Sequence, residues 1–180
     1  LDEIGLRQPV NETALVPTEA RAAAKRIGYP ILLRPSFVLG GRGMFIVYDQ
    51  NELDEVALEA FAVAPGKPVL LDKFLDHAIE VDVDAVCDGE TGLIGGIMEH
   101  IEEAGVHSGD SMAVYPAQSL TEAEVEVVVD YTRRIGLALG IVGLMNIQFV
   151  VAGGGAYRGF DKGTSNGPSG DPEIYIIEVN

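Results

Sequence analysis

The sequence predicts an α+β protein made of two lobes, each with a mainly antiparallel sheet. Predicted strands follow one another directly along the chain, without the crossover helices that parallel pairing requires. The 180 residues exceed the roughly 150 of one typical domain, and 47% of them are apolar, which is enough for a packed core. We therefore expect a small lobe over residues 1–74 and a larger lobe over residues 75–180.

Composition excludes several classes of protein. Twelve basic residues stand against 28 acidic ones, a net charge of −16, so nucleic acid is a poor partner. The apolar content is too high for a disordered chain. Cys87 is the only cysteine and cannot form an internal disulfide, which agrees with a cytoplasmic location.

An uncharged run from Ile135 to Ala156 is long enough to span a bilayer. Its glycines and its polar Asn146 and Gln148 favour a different interpretation, a helix that ends near Gly140 followed by an alternating strand. We therefore expect no membrane partner.

The small lobe is predicted to contain two helices and three strands. Thr18 is the expected N-cap of the first helix and Gly28 its end, while Asn51 is the expected cap of the second. In chain order the elements are helix 19–27, strand 31–33, strand 44–48, helix 51–63 and strand 69–71.

The larger lobe is predicted to contain four strands and one helix. Residues 79–87 alternate strictly between acidic and apolar side chains, and Asp88-Gly89 is typical of a hairpin turn. Thr121 and Glu124 form a capping-box pattern at the start of the helix. In chain order the elements are strand 79–87, strand 93–99, loop 102–116, helix 121–139, strand 144–151, loop 153–172 and strand 174–179.

Arg34 and the glycine-rich turn at residues 40–43 are a candidate phosphate site. A glycine turn allows backbone N–H groups to approach phosphate oxygens, and a guanidinium binds phosphate through two hydrogen bonds. The alternative is an ordinary tight hairpin with surface arginines.

The last two strands carry a candidate metal site. Strand periodicity places Asn146 and Gln148 on one face of their strand, and Glu178 and Asn180 on one face of theirs. Oxygen ligands of this kind suit Mg²⁺, while the alternative is a polar outer face. Periodicity also assigns Ile176 to the face of Glu178, so we expect this face to be partly closed over.

The stripe formed by Glu80, Asp82 and Asp84 could bind a metal, but such a stripe is more often solvated, and only Glu80 is retained as a candidate. In the loop at residues 105–111, binding of a ribose or phosphate by side chains and backbone donors is favoured over a hydrolase triad. Cys87 lies on the apolar face of its strand and is expected to be a core thiol. His77 and His100 have no metal-ligand spacing with it.

Seven segments together resemble the large subunit of carbamoyl phosphate synthetase, an ATP-grasp enzyme. The resemblance covers nearly the whole chain except residues 153–173, which are longer than the short hairpin usual there. Residues 41–42 and 103–108 are more similar to the second, carbamate-phosphorylating half of that subunit than to the first, which phosphorylates bicarbonate. The segments are RPSFVLGGR at 34–42, LDKFL at 71–75, EVDVD at 80–84, MEHIE at 98–102, AGVHSGDS at 104–111, GLMNIQF at 143–149 and IEVN at 177–180.

The resemblance implies a role for each matching residue. Arg34 would be the catalytic residue and, with Gly40 and Gly41, would hold the ATP phosphates. Lys73 and Leu75 would line the adenine, although Lys73 departs from a histidine found in some members. The remaining nucleotide contacts would be Glu80 at the ribose, Gly105, Val106, His107 and Ser108 in the adjoining wall, and Gln148 and Glu178. The ligands of Mg²⁺ or Mn²⁺ would be Gln148, Glu178 and Asn180.

The resemblance also implies a nucleotide cleft between the lobes of an incomplete ATP-grasp domain, truncated at its C-terminal end. Partners would be the rest of the large chain, a glutaminase small subunit, ATP, and carbamate or bicarbonate. K⁺ would be a further cofactor, and the pathways would be pyrimidine and arginine biosynthesis. We expect weak or no nucleotide binding, and no turnover, from the isolated piece. Two alternatives are another ATP-grasp ligase, such as a biotin-carboxylase-like enzyme, and a non-catalytic scaffold lobe.

Overall fold

A computed structural model describes residues 1–36, 43–106, 108–152 and 173–180. The chain divides into two compact units, one formed by Pro9–Asp76 and the other by Leu1–Gln8 with His77–Asn180. Each unit contains one sheet and a buried apolar cluster of its own. All strand pairs in the described ranges are antiparallel, so the predicted α+β class is confirmed.

The smaller unit has a four-stranded sheet in the order β1-β4-β2-β3, with its core formed by strand residues and by the buried alanines of two helices. Its elements are β1 (Asn11–Ala14), α1 (Pro17–Ile27), β2 (Ile31–Pro35), β3 (Phe45–Val47), α2 (Gln50–Val63) and β4 (Val69–Lys73).

The predicted end of helix α1 is confirmed, but its predicted start is wrong. Gly28 has a φ of 80° and donates its N–H to the carbonyl of Ala24 over 2.8 Å. Thr18 is not the N-cap, because the helix already begins at Pro17, with Val16 at the cap and no capping side chain. Proline suits this first position since it has a helical φ and no N–H to satisfy.

The cap of α2 and the strand β1 also differ from the prediction. Asp49, not Asn51, caps α2, and its carboxylate accepts the backbone N–H groups of Asn51 and Glu52 at 2.7 and 3.0 Å. Strand β1 was missed because its four residues contain no apolar alternation. It pairs with β4 from Asn11 opposite Asp72 to Ala14 opposite Val69.

The larger unit has a five-stranded sheet in the order β7-β6-β5-β8-β9. The capping box at Thr121 and Glu124 is confirmed. The predicted loop at 102–116 is partly wrong, since β6 continues to Glu103 and β7 lies within it. The elements are β5 (Ile79–Asp88), β6 (Gly92–Glu103), β7 (Ala113–Val114), α3 (Glu122–Ala138), β8 (Val142–Ala152) and β9 (Glu173–Val179), with short 3₁₀ turns at Asp2–Ile4 and Ser108–Asp110.

The uncharged run at 135–156 does not form a single element. It contains the end of α3 and the strand β8, and none of the helices in the described ranges has the length and apolar character needed to cross a bilayer. Cys87 is 5% exposed and lies in the core, as predicted. A Cβ added at Gly136 of α3 would lie 2.8 Å from its Sγ, so the helix approaches β5 closely at this point.

Candidate functional site

A row of polar side chains crosses three neighbouring strands of the larger unit. Asp82 on β5 is paired with Gln148 on β8, and Gln148 is paired with Glu178 on β9. Directly paired residues point to the same face of an antiparallel sheet. Gln148 is 7% exposed, whereas Glu178 is exposed. The row therefore joins a buried amide to an accessible carboxylate.

A β-bulge in β9 creates this row. Phe149 is opposite Ile176, but its neighbour Gln148 is opposite Glu178, so Ile177 is an extra residue without a partner. Strict alternation would put Glu178 on the face of Ile176, as the sequence predicted, and that prediction is wrong. Ile176 lies in the apolar core with Phe149, while the bulge turns Glu178 to the opposite face beside Gln148.

Asn146 and Asn180 form the next pair along the strands on the same polar face as Gln148 and Glu178. The backbone N–H of each donates to the carbonyl of the other, over 3.0 and 2.8 Å. The side-chain Nδ2 of Asn146 donates to Asp84 over 2.9 Å and to Asp82 over 3.3 Å. Because its nitrogen faces β5, the side-chain oxygen of Asn146 is left for other partners.

The acidic stripe on β5 is not uniformly solvated. Asp84 is exposed, but Glu80 is 7% exposed and Asp82 is half-buried, so the prediction of a solvated stripe is wrong for these two. A side chain from β6 lies between them: His100 has its Nε2 2.6 Å from Oδ2 of Asp82 and its Nδ1 3.3 Å from Oε2 of Glu80. These contacts replace the water that would otherwise solvate the two carboxylates.

The charges in this cluster stabilise one another. Hydrogen bonds to Asp82 and Glu80 raise the pKa of His100 to about 9, despite the opposing effect of burial. Burial raises the pKa of Asp82, but its hydrogen bonds, first of all that with His100, outweigh burial and leave this pKa below its ordinary value. At neutral pH the cluster is therefore an imidazolium between carboxylates.

The loop after β6 contributes a backbone donor. Gly105 donates its N–H to Oε1 of Glu80 over 3.0 Å and has a φ of 107°, a conformation that favours glycine. Val106 next to it is 39% exposed, and Ser108 begins a 3₁₀ turn and is half-buried. Gly105, Val106 and Ser108, three of the four residues predicted to form the nucleotide wall, therefore lie in one loop after β6, and this loop contacts Glu80 through Gly105.

In the smaller unit, Arg34 on β2 forms an ion pair with Asp72 on β4, with Nε 2.7 Å from Oδ2. The two residues lie on adjacent strands, where Arg34 is paired with Leu70 and Leu32 with Asp72. Burial raises the pKa of Asp72 above its ordinary value, and the ion pair with Arg34 only partly offsets this effect. The contact through Nε fixes the plane of the guanidinium.

Lys73 and Leu75 lie at and just after the end of β4. The ammonium of Lys73 donates to the backbone carbonyls of Gly28 and Tyr29, over 3.1 and 2.7 Å. It therefore holds the turn between α1 and β2 against the end of β4. Leu75 is half-buried.

Three predicted residues, Gly40, Gly41 and His107, lie outside the described residues. Sequence reasoning also missed two residues that the geometry makes prominent, His100 and Asp72. The signal for His100 was weak, because an irregular pairing of β6 brings it opposite Glu80. Asp72 follows an apolar run, where a single carboxylate has a cation partner more often than not, and this could have pointed to Arg34.

Comparison with solved structures defines the class of the fold. The chain is similar to the ADP complex of N5-carboxyaminoimidazole ribonucleotide synthetase, with a TM-score of 0.77 and 18% identity, over 99% of this chain and 41% of that one. It is also similar to a biotin carboxylase complex from Campylobacter jejuni, with a TM-score of 0.76 and 20% identity, over 99% and 37%. The fold is that of the ATP-grasp proteins, as the resemblance implied.

Sequence comparison then identifies the family. The family model described as "Carbamoyl-phosphate synthase L chain, ATP binding domain" matches residues 3–158. The carbamoyl phosphate synthase large chain of Methanothermobacter thermautotrophicus is 52% identical over all 180 residues, which span 16% of that relative. The C-terminal section from Methanocaldococcus jannaschii is 56% identical over 157 residues, 87% of this chain and 25% of the relative. The chain belongs to this family and spans about one sixth of the full-length relatives it matches.

Proposed function

We propose that this chain is an ATP-binding part of a carbamoyl phosphate synthase large chain and contributes to phosphorylation of carbamate. The observation that carries the proposal is the polar row on β8 and β9, because the bulge at Ile177 places the carboxylate of Glu178 beside the amide of Gln148. Carbamate is favoured over bicarbonate by the similarity to C-terminal sections of the large chain. Bicarbonate, the substrate of the first half, is the alternative.

The residues of this row fit a magnesium ion. One carboxylate, from Glu178, and the amide oxygens of Gln148 and Asn180 are hard ligands, and Mg²⁺ in nucleotide sites is commonly held by one or two carboxylates with phosphates and water. No three His, Cys, Asp or Glu side chains in the described ranges are arranged as metal ligands, so the ligand set proposed here consists mainly of amides. When bound, the ion would neutralise charge on the phosphates.

Within the larger unit we assign the nucleotide sugar to Glu80. Its carboxylate is buried and is held on both oxygens, by Gly105 and by His100, so its direction is fixed before a ligand binds. A fixed carboxylate accepts hydrogen bonds from ribose hydroxyls without a further loss of side-chain entropy. Gly105, Val106 and Ser108 supply the adjoining wall, together with His107.

Within the smaller unit we assign the phosphates to Arg34. Asp72 engages Nε and leaves the terminal nitrogens of Arg34 to bind phosphate oxygens, and Gly40 and Gly41 would add backbone N–H groups. Leu75 is assigned to the adenine. Lys73 would act there mainly through the turn that its ammonium holds.

Phosphoryl transfer requires positioning and charge stabilisation more than covalent participation of the protein. A carbamate oxygen attacks the γ-phosphorus, the bond from that phosphorus to the bridging oxygen breaks, and ADP leaves with the bonding electron pair. Arg34 stabilises the negative charge on the transferred group. Five points remain predictions: Mn²⁺ in place of Mg²⁺, a K⁺ ion, the glutaminase small subunit, binding of the nucleotide between the lobes, and a cytoplasmic location.

The test is calorimetric titration of the full-length large chain containing this segment with MgADP. Glu178→Gln should lower the affinity at least about tenfold, since it removes the one charged ligand of the proposed set, and a hydrogen bond to a charged group alone is worth about 1.5–3 kcal/mol. Glu173→Gln is the matched control, because Glu173 is an exposed carboxylate at the other end of the same strand. Equal affinities for the wild type and E178Q, or no binding of MgADP by the wild type, would overturn the proposal.

A further inference from the structure

We infer that His100 is a positioning residue for nucleotide binding, acting through Glu80. This inference rests on the proposed function and extends it to a residue that the sequence did not single out. His100 has a side chain that is only 2% exposed, so it acts on a ligand through its neighbours and not by contact.

The register of β6 against β5 is the first argument. Between the pairs Ala85–Ile94 and Asp84–Gly96 the register shifts by one residue, so Gly95 is an extra residue of β6. Beyond this shift Asp82 is paired with Met98 and Val81 with Glu99. The same register places His100 opposite Glu80 and on the face of Asp82.

The hydrogen bonds on Glu80 are the second argument. Oε2 is 3.3 Å from Nδ1 of His100, and Oε1 accepts the N–H of Gly105 at 3.0 Å. An ionised carboxylate has about four lone-pair sites, so two remain for a ligand after both contacts are made. Loss of His100 would leave Glu80 held on one oxygen and free to rotate.

Charge is the third argument. Glu80 and Asp82 lie two positions apart on the same face of β5, and burial makes two unneutralised carboxylates costly. His100 contacts both, so its imidazolium offsets the repulsion between them. A neutral amide at position 100 could donate one hydrogen bond but would supply no positive charge.

The cluster also connects the assigned sugar residue to the metal row. Asp82 accepts from His100 on Oδ2 and from Asn146 on Oδ1, and it is paired with Gln148 across the sheet. The polar face is therefore one hydrogen-bonded network from Glu80 to β8. His100 is the member of it that carries a positive charge.

The test compares ribose recognition in the full-length large chain. The magnesium complexes of ADP and of 2′,3′-dideoxy-ADP are titrated into the wild type, His100→Asn and a control, His77→Asn, at an exposed histidine. Hydrogen bonds to a charged group predict a wild-type preference for ADP of at least about tenfold. H100N should lose most of this preference with little change in the affinity for the dideoxy analogue, whereas H77N should keep it.

The possible outcomes distinguish failure of the proposed function from failure of the roles assigned to Glu80 and His100. A wild type that does not bind MgADP overturns the proposed function. A wild type that binds both nucleotides equally overturns the role of Glu80, and with it the role of His100. A folded H100N that keeps the wild-type preference overturns the role of His100 alone.

A double-mutant cycle distinguishes positioning from a general structural effect. If His100 acts through Glu80, H100N should not change the ribose preference further in an E80Q background. Additive effects would overturn the inference. If H100N does not fold, His100→Gln, which also removes the charge and keeps an amide donor, gives the same readout.

Discussion

The buried histidine makes the stability of the larger unit depend on pH in a predictable direction. Its pKa of about 9 in the folded state lies above the 6.5 of an ordinary histidine, chiefly because of the hydrogen bond to Asp82. A group whose pKa is raised by folding stabilises the fold while it is protonated. The stabilisation from His100 is therefore fully present below pH 6.5 and is lost as the pH rises through 9.

The difference between these pKa values sets the magnitude. One pKa unit corresponds to 1.36 kcal/mol, so raising the pKa of His100 from 6.5 to about 9 corresponds to at most about 3 kcal/mol. Between these pH values the free energy of unfolding should fall by up to about 1.4 kcal/mol per pH unit from this group alone. His100 is almost wholly buried, so solvent screening reduces this value little.

The measurement is urea denaturation of the wild type and H100N between pH 6 and pH 10. Subtracting the two curves removes the contribution of the groups common to both proteins. The stability advantage of the wild type should be largest at pH 6 and should shrink by about 2–3 kcal/mol by pH 10. Parallel curves across this range would refute the conclusion that an imidazolium lies between the two carboxylates.

Three further changes test other parts of the structure. Gly136→Ala should destabilise the protein by about 1–2 kcal/mol in urea denaturation, because the new Cβ would lie 2.8 Å from Sγ of Cys87. This overpacking outweighs the gain of about 1 kcal/mol in helix propensity. Adding Cys87→Ala to the variant should restore stability. Thr121→Ala should cost about 1 kcal/mol in the same assay and Thr121→Ser much less, since the serine keeps the capping box. Deleting Ile177 removes the bulge in β9 but makes Glu178 the direct neighbour of Ile176 and so keeps it opposite Gln148; the magnesium-dependent heat of MgADP binding should therefore be kept, and a folded deletion variant without this heat would contradict the pairing of Glu178 with Gln148.

Local patterns predicted much of the fold. The alternation at residues 79–87 and the capping box at Thr121 each depend on neighbouring residues, and both are present. The helix starts were harder to predict, because Pro17 and Asp49 each offer a start within two residues of the predicted cap. In α2 the carboxylate of Asp49 forms the capping hydrogen bonds.

The candidate site could be predicted only as far as strand periodicity holds. Gln148 and Glu178 do share a face, but for a different reason than alternation suggests, since a bulge inverts the last residues of β9. His100 escaped notice because a register shift at Gly95, between the pairs Ala85–Ile94 and Asp84–Gly96, moves it to the face of Glu80 and Asp82. Both irregularities depend on contacts between strands, which a single strand's sequence does not encode.

Asp82 has a consequence for how substitutions in this sheet should be interpreted. Its carboxylate is shared, with one oxygen engaged from β6 and the other from β8. A substitution on either flanking strand therefore changes the hydrogen bonds to the same carboxylate, so a change beside the proposed sugar residue Glu80 is expected to affect the proposed metal site as well. Substitutions in β6, which supplies none of the proposed metal ligands, are for this reason expected to alter magnesium dependence.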